Sequence, residues 1–78
     1  MLNSAITDSV IRIEPAGNIV VVKTYAGMAN AIAVCFDSLP TDRIVGSVAG
    51  DDTILLVVRT PEDAMALSLE LTEMFKKN

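Results

Sequence analysis

The sequence contains no histidine and only one cysteine, Cys35. Without histidine, the Ser-His and Cys-His pairs that activate nucleophiles cannot form, and most zinc sites lose their usual ligand. A single cysteine excludes a disulfide framework within the chain and fits a reducing, cytoplasmic setting. Because no nucleophile–base pair is evident, we predict a protein that is not an enzyme and has no catalytic residue. Cys35 itself is expected to pack as a small hydrophobic residue.

Basic residues and long apolar runs are also scarce. Six lysines and arginines stand against ten acidic residues, so the formal net charge is −4. This balance disfavours contact with phosphate backbones, and we expect no direct nucleic-acid binding by these residues. No apolar run approaches the roughly 18 residues of a membrane helix, and the first residues do not resemble a signal peptide. We therefore predict no membrane association and a cytoplasmic location.

Hydrophobic residues, in contrast, fill 51% of the 78 positions. A single domain of this size buries only about 60–65% of the surface that its unfolded chain exposes. The excess of apolar residues needs another destination, and both a membrane helix and a large core are excluded. A subunit interface remains.

Hydrophobic periodicity predicts the element order ββαββα. An alternating stretch rich in β-branched residues predicts a strand at residues 10–14, and further apolar stretches predict strands at residues 19–24, 43–49 and 54–59. Helical spacing predicts one helix over residues 28–39 and another that starts at Pro61, with Thr60 as its N-cap. Residues 1–7 are expected to be a tail or linker ahead of one domain that makes up the rest of residues 1–78.

These elements predict an α+β fold, a two-layer sandwich with two helices on one face of a four-stranded, mostly antiparallel sheet. Residues 19–22 and 54–58 are apolar at consecutive positions, so both faces of their strands require burial. Two helices cover only one face, and the other would be a large exposed apolar patch. We therefore predict that this second face meets another subunit.

Two adjacent aspartates, Asp51 and Asp52, lie at the turn between the last two predicted strands. Turn aspartates usually only accept backbone hydrogen bonds, which leaves open a purely structural oligomerisation module. However, Gly46 and Gly50 permit close backbone approach, and carboxylates at the rim of an interface repel their symmetry mates unless a cation lies between them. The spaced acidic ligands of a calcium loop are missing, whereas a guanidinium pairs bidentately with carboxylates. The residues favour a guanidinium ligand and no metal site.

The sequence resembles the C-terminal domain of the bacterial arginine repressor family over residues 9–75. The most specific part is the string Ala-Gly-Asp-Asp-Thr-Ile at residues 49–54, a hallmark of that family. Support comes from residues 27–39, where the family's first helix also carries a polar residue and then Asp-x-Leu, and from Arg-Thr-Pro-Glu at residues 59–62.

The resemblance implies trimers that stack into hexamers and bind L-arginine between trimers as a corepressor in the regulation of arginine metabolism. It also implies contact with operator DNA through a winged-helix domain ahead of residue 1, which this sequence does not include. Asp51 and Asp52, from facing subunits, would be the main ligand-contacting acids. The same site would be lined by Asp37, Ser47, Thr53, Asn30 and the backbone of Ala49. Asn30 and Ser47 stand where better-known members carry glutamine and threonine, so the amide of Asn30 has a shorter reach.

Overall fold

The computed structural model of the protein describes residues 4–39 and 41–76. The elements follow in the order α1 (Ser4–Ser9), β1 (Val10–Ala16), β2 (Ile19–Thr24), α2 (Ala29–Asp37), β3 (Ile44–Ala49), β4 (Thr53–Val58) and α3 (Pro61–Met74). The predicted α+β sandwich is confirmed. One difference is the short helix α1, which covers part of the segment expected to be an irregular tail. Among the described residues no helix has both the length and the apolar content needed to cross a membrane.

The four strands form one sheet in the order β1-β2-β4-β3, and every neighbouring pair is antiparallel. The β1–β2 hairpin turns at Gly17, whose φ of 60° favours glycine. Pro15 is tolerated in β1 because this strand lies at the edge of the sheet, where a missing N–H breaks fewer ladder bonds. The order places the two most apolar strands, β2 and β4, at the centre.

The core lies between one face of the sheet and the helices α2 and α3. Alternate residues of the central strands are fully buried there: Val20, Val22, Ile54, Leu56 and Val58. The helices contribute Ile32, Phe36, Ala64, Leu67 and Leu71, and Phe75, the C-cap of α3, adds a ring. The rings of Phe36 and Phe75 meet edge to face at 5.5 Å and join the two helices. Each large side chain buried in this way contributes about 1.5–3 kcal/mol to stability.

The opposite face of the sheet, which we call the open face, carries the intervening residues of the same strands. Strand register places Val48, Leu55 and Val21 side by side across β3, β4 and β2. Val48 is 66% exposed and Leu55 38% exposed, although both are large and apolar. No described element of the chain covers these side chains. The consecutive apolar residues of β2 and β4 therefore do supply two apolar faces, one covered and one open.

Helix α3 begins as the sequence predicts. The side chain of Thr60 accepts a hydrogen bond from the backbone N–H of Asp63 at 3.0 Å, and Pro61 occupies the first turn. Glu62 and Asp63 place negative charge at the positive end of the helix dipole. A fixed start of α3 fixes which of its residues face the sheet.

Candidate functional site

The aspartate turn, residues 50–52, joins β3 to β4 and is tied to the start of α2 through its backbone. The carbonyl oxygen of Asp51 accepts hydrogen bonds from the N–H groups of Gly27 at 3.1 Å and Ala29 at 3.2 Å. The carbonyl oxygen of Asp52 accepts one from the N–H of Thr24 at 2.8 Å. Gly27 has a φ of 80°, so a glycine suits this approach. These bonds fix the backbone of the turn and leave its side chains outside the sandwich.

The two aspartate side chains differ in their surroundings. Asp51 is exposed, and no described residue pairs with its carboxylate. Asp52 accepts a hydrogen bond from the hydroxyl of Thr53, with Thr53 Oγ1 2.9 Å from Asp52 Oδ1. Its other oxygen, Oδ2, lies 3.4 Å from Nζ of Lys23 on the neighbouring strand β2. The turn thus presents one carboxylate without a protein partner and one with a resident cation.

The contacts to Asp52 favour its ionised form. The hydrogen bond from Thr53 is the main cause that holds the pKa of Asp52 below its ordinary value of 3.8, and the ammonium of Lys23 adds to the effect. The side chains of Lys23 and Asp52 are 31% and 52% exposed, so water screens their attraction. An ion pair of this kind contributes little to the stability of the fold. Its main effect is on the net charge of the turn and on the orientation of the Asp52 side chain.

Helix α2 carries an exposed stripe next to this turn. Asn30, Val34 and Asp37 are spaced at i, i+4 and i+7 and share one outward surface of the helix. Val34 is 67% exposed between the two polar residues. Asn30 directly follows Ala29, whose N–H binds Asp51, so it lies at the turn end of the helix. Asp37 lies at the far end, roughly 10 Å away at the rise of an α-helix.

Asp37 and Ser47 lie away from the aspartate turn, at a cavity beside the end of α2. Both line a cavity of about 220 Å³ between the end of α2 and the first half of β3, together with Phe36, Leu39, Thr41, Ile44, Val45 and Gly46. Ser47 is exposed, and strand register places it opposite Leu56. Ala49, two residues further along β3, lies opposite Ile54 and packs against the core. Ala49 therefore lies between this cavity and the aspartate turn.

The predicted site residues are thus divided within one chain. The turn group consists of Asp51, Asp52 and Thr53, with Asn30 beside it, and the cavity group consists of Asp37 and Ser47. Packing among the described residues does not require a glycine at position 46, because a Cβ there would meet none of their atoms within 4 Å. The described residues hold no group of three or more potential metal ligands. Whether these residues bind a ligand stays a prediction.

Lys23 is the residue of this site that the sequence did not reveal. It is the only charged residue of β2, which was the available signal. A lysine in an apolar strand usually faces solvent, so its type alone predicts no partner. The sequence does not show that the pairing of β2 with β4 places Lys23 opposite Thr53. Only the pairing of β2 with β4 brings its ammonium to Asp52.

Comparison with known proteins places this arrangement in a family. A family model described as "Arginine repressor, C-terminal domain" matches residues 6–73. The chain belongs to the arginine repressor family. The match includes all four strands and the aspartate turn, so the resemblance seen in the motif residues is confirmed.

Several curated proteins named arginine repressor are similar to this chain. Identity is 47% with the protein of Geobacillus sp. (strain WCH70), 44% with that of Geobacillus stearothermophilus and 40% with that of Bacillus subtilis (strain 168). Each alignment covers 94% of this chain but 49% of the relative. The chain spans about half the length of the curated relatives it matches.

Proposed function

We propose that this chain is the L-arginine-sensing and assembly domain of a transcriptional repressor of arginine metabolism. In this proposal the domain forms trimers, two trimers stack into a hexamer, and L-arginine bound between them acts as corepressor. A winged-helix domain outside this sequence contacts operator DNA. The repressor acts in the cytoplasm. Membership of the arginine repressor family supports the proposal. The observation that carries it is the exposed Asp51 carboxylate on a turn that is held by backbone hydrogen bonds to the carbonyl oxygens of Asp51 and Asp52.

The chemistry of the turn suits a guanidinium ligand. A carboxylate with both oxygens accessible can accept two parallel N–H bonds from the planar fork of arginine. Asp51 meets this condition, whereas Asp52 already contacts Thr53 and Lys23. When two turns face each other across an interface, a guanidinium between them also removes the repulsion between their carboxylates. The domain binds this ligand without transforming it.

The remaining predicted contacts are supplied by more than one protomer. Asn30 and Asp37 lie on the same exposed stripe of α2 but roughly 10 Å apart. An arginine that reaches the aspartate turn of one protomer can contact Asp37 and Ser47 of another when α2 lies in the interface. The exposed Val34 between the two polar residues is an apolar contact that such an interface would bury. Ala49 and Thr53 complete the site next to the turn.

The open face accounts for the first level of assembly. Its exposed apolar residues, which include Val48 and Leu55, form a surface that a monomer would leave in water. Burial of this face between three protomers uses contacts that do not involve the aspartate turn. The trimer therefore forms with or without ligand, and the ligand acts on the second level, between trimers.

A purely structural oligomerisation module is the second candidate, and the Lys23–Asp52 pair favours it. A resident cation at Asp52 means that this aspartate needs no ligand to balance its charge. In that case the turn would only connect β3 to β4, and no small molecule would bind there.

Calorimetric titration of the chain with L-arginine separates the two candidates. The proposal expects saturable binding that Asp51→Ala weakens strongly and that Glu62→Ala, a change of an exposed acid at the start of α3, leaves unchanged. Citrulline, which keeps the shape but lacks the charge, should bind far more weakly. The absence of heat with L-arginine at any concentration up to the millimolar range would leave the structural module as the function.

A further inference from the structure

Lys23 lies in the middle of a row of polar side chains that crosses the open face. Strand register places it between Arg12 of β1 and Thr53 of β4. Like charges directly opposite each other on neighbouring strands repel. Arg12 turns to Glu14, with Nε 3.6 Å from the carboxylate, and Lys23 turns to the other side, towards Asp52. The row therefore directs the ammonium of Lys23 to the aspartate turn.

Lys23, its neighbour Thr53 and the adjacent Asp52 form a directed chain of hydrogen bonds. Nζ of Lys23 donates to the hydroxyl oxygen of Thr53 at 2.8 Å. The hydroxyl of Thr53 in turn donates to Asp52 Oδ1 at 2.9 Å. A hydroxyl has one proton, so Thr53 has no donor left for a ligand while this chain is intact. Asp52 is held through one oxygen by Thr53 and faces Lys23 with the other.

We propose that Lys23 is a positioning residue of the ligand site, which fixes the orientation of Asp52 and compensates its charge, so that Asp51 is the carboxylate the ligand neutralises. The role of Asp51 towards the ligand rests on the proposed function. The effect of Lys23 on Asp52 is a property of the ligand-free chain and is tested separately. Lys23 touches no ligand in this account and acts only through Asp52 and Thr53.

The pairing of Lys23 with Asp52 changes the net charge of the aspartate turn. With Lys23 in place, each aspartate turn carries one uncompensated negative charge, from Asp51. L-arginine carries one net positive charge at neutral pH, so one ligand balances one turn. Without Lys23, each turn would carry two negative charges, and a single ligand would leave one of them uncompensated. Facing turns would then repel even when ligand is bound.

The first part of the test follows the carboxyl group of Asp52 by NMR during a pH titration of the ligand-free chain. Lys23→Gln should raise the titration midpoint of Asp52 towards its ordinary value, because the ammonium is lost. Lys23→Arg should restore the low midpoint, since it restores the charge. Arg12→Gln is the matched control, because Arg12 lies in the same row but pairs with Glu14, and the Asp52 midpoint should stay low. A midpoint that does not move in Lys23→Gln would overturn the proposal.

The second part measures L-arginine binding by the same four proteins over a range of salt concentrations. Lys23→Gln should bind L-arginine about tenfold more weakly than the wild type at low salt. The difference from the wild type should shrink as the salt concentration rises, because ions screen the repulsion between facing turns. Lys23→Arg and Arg12→Gln should bind as the wild type does. Equal binding by wild type and Lys23→Gln would overturn the role of Lys23 at the ligand site. If the wild type fails to bind L-arginine while the Asp52 midpoint shifts as expected, the proposed function fails and the Lys23–Asp52 pairing stands.

Discussion

The two faces of the sheet are built from neighbouring residues of the same strands, yet they differ in what surrounds them. Leu56 of β4 is fully buried under the helices, whereas the adjacent Leu55 is 38% exposed on the open face. The covered face is apolar along the central strands, while the open face combines apolar residues with the polar row around Lys23. The covered face holds the fold together. The open face and the turn at its edge are the parts to which the proposed function assigns assembly and ligand binding.

The largest difference between the two faces is expected in the stability lost when a leucine of each face is replaced by alanine. Leu56→Ala removes a fully buried side chain and should lower the free energy of unfolding by about 2–5 kcal/mol. Leu55→Ala removes a side chain that one protomer leaves partly in water, so the protomer itself should lose far less. Urea denaturation at a protein concentration low enough to dissociate oligomers measures both values. Equal losses would contradict the distinction between a covered and an open face.

The next effect concerns assembly. Val48→Lys places a charge in the middle of the apolar surface of the open face, where a second protomer would have to bury it. We expect a folded protein that no longer forms trimers. Circular dichroism checks the fold, and sedimentation equilibrium gives the mass. Glu73→Lys, a charge change at the exposed end of α3, is the control that should keep the wild-type mass. A trimer that survives Val48→Lys would show that the open face is not the trimer contact.

A smaller difference is expected between the two neighbouring aspartates. Asp51→Ala should weaken L-arginine binding about 30-fold or more, which is typical for the loss of one partner of a desolvated charge pair. Asp52→Ala should weaken it less, because Lys23 already compensates that carboxylate. Calorimetry on the two variants gives the order of the effects. A larger loss for Asp52→Ala would reverse the assignment of the two roles.

The smallest effect is a dependence on pH. The folded-state pKa of Asp52 is lowered, so its contact with Lys23 contributes to stability above the ordinary value of 3.8 and is lost as the pH falls through the lowered pKa. The small stability difference between the wild type and Lys23→Gln should therefore persist from neutral pH down to about 4 and vanish in stronger acid. Denaturation curves of both proteins over this range measure it. A difference that disappears well above pH 4 would contradict the direction of the pKa shift.

Much of the fold could be predicted from the sequence because its signals are local. The apolar runs of β2 and β4, the N-cap at Thr60 and the spacing of Leu67 and Leu71 each depend only on neighbouring residues. Helix α1 was missed because six residues give too short a periodic pattern. The turn that contains Asp51 and Asp52 was predicted because Gly50 and the two aspartates are typical turn residues.

The contacts around these aspartates could not be predicted in the same way. The pairing of Lys23 with Asp52 depends on strand register, and the approach of Gly27 and Ala29 to Asp51 depends on how α2 packs beside the β3–β4 turn. Such relations join residues far apart in sequence and arise only in the folded chain. The division of the site residues between the turn and the cavity beside Asp37 has the same origin.

In the proposed function, L-arginine acts between trimers through the aspartate turn. The most direct measurement is analytical ultracentrifugation of the wild type at a concentration where hexamers partly dissociate, with and without L-arginine. Because ligand that binds only the hexamer shifts the equilibrium by linkage, the hexamer should gain about 2.7 kcal/mol for each ligand site at a hundredfold excess over the dissociation constant. Asp51→Ala should form trimers and show no shift. A wild-type mass distribution that L-arginine leaves unchanged would contradict the account.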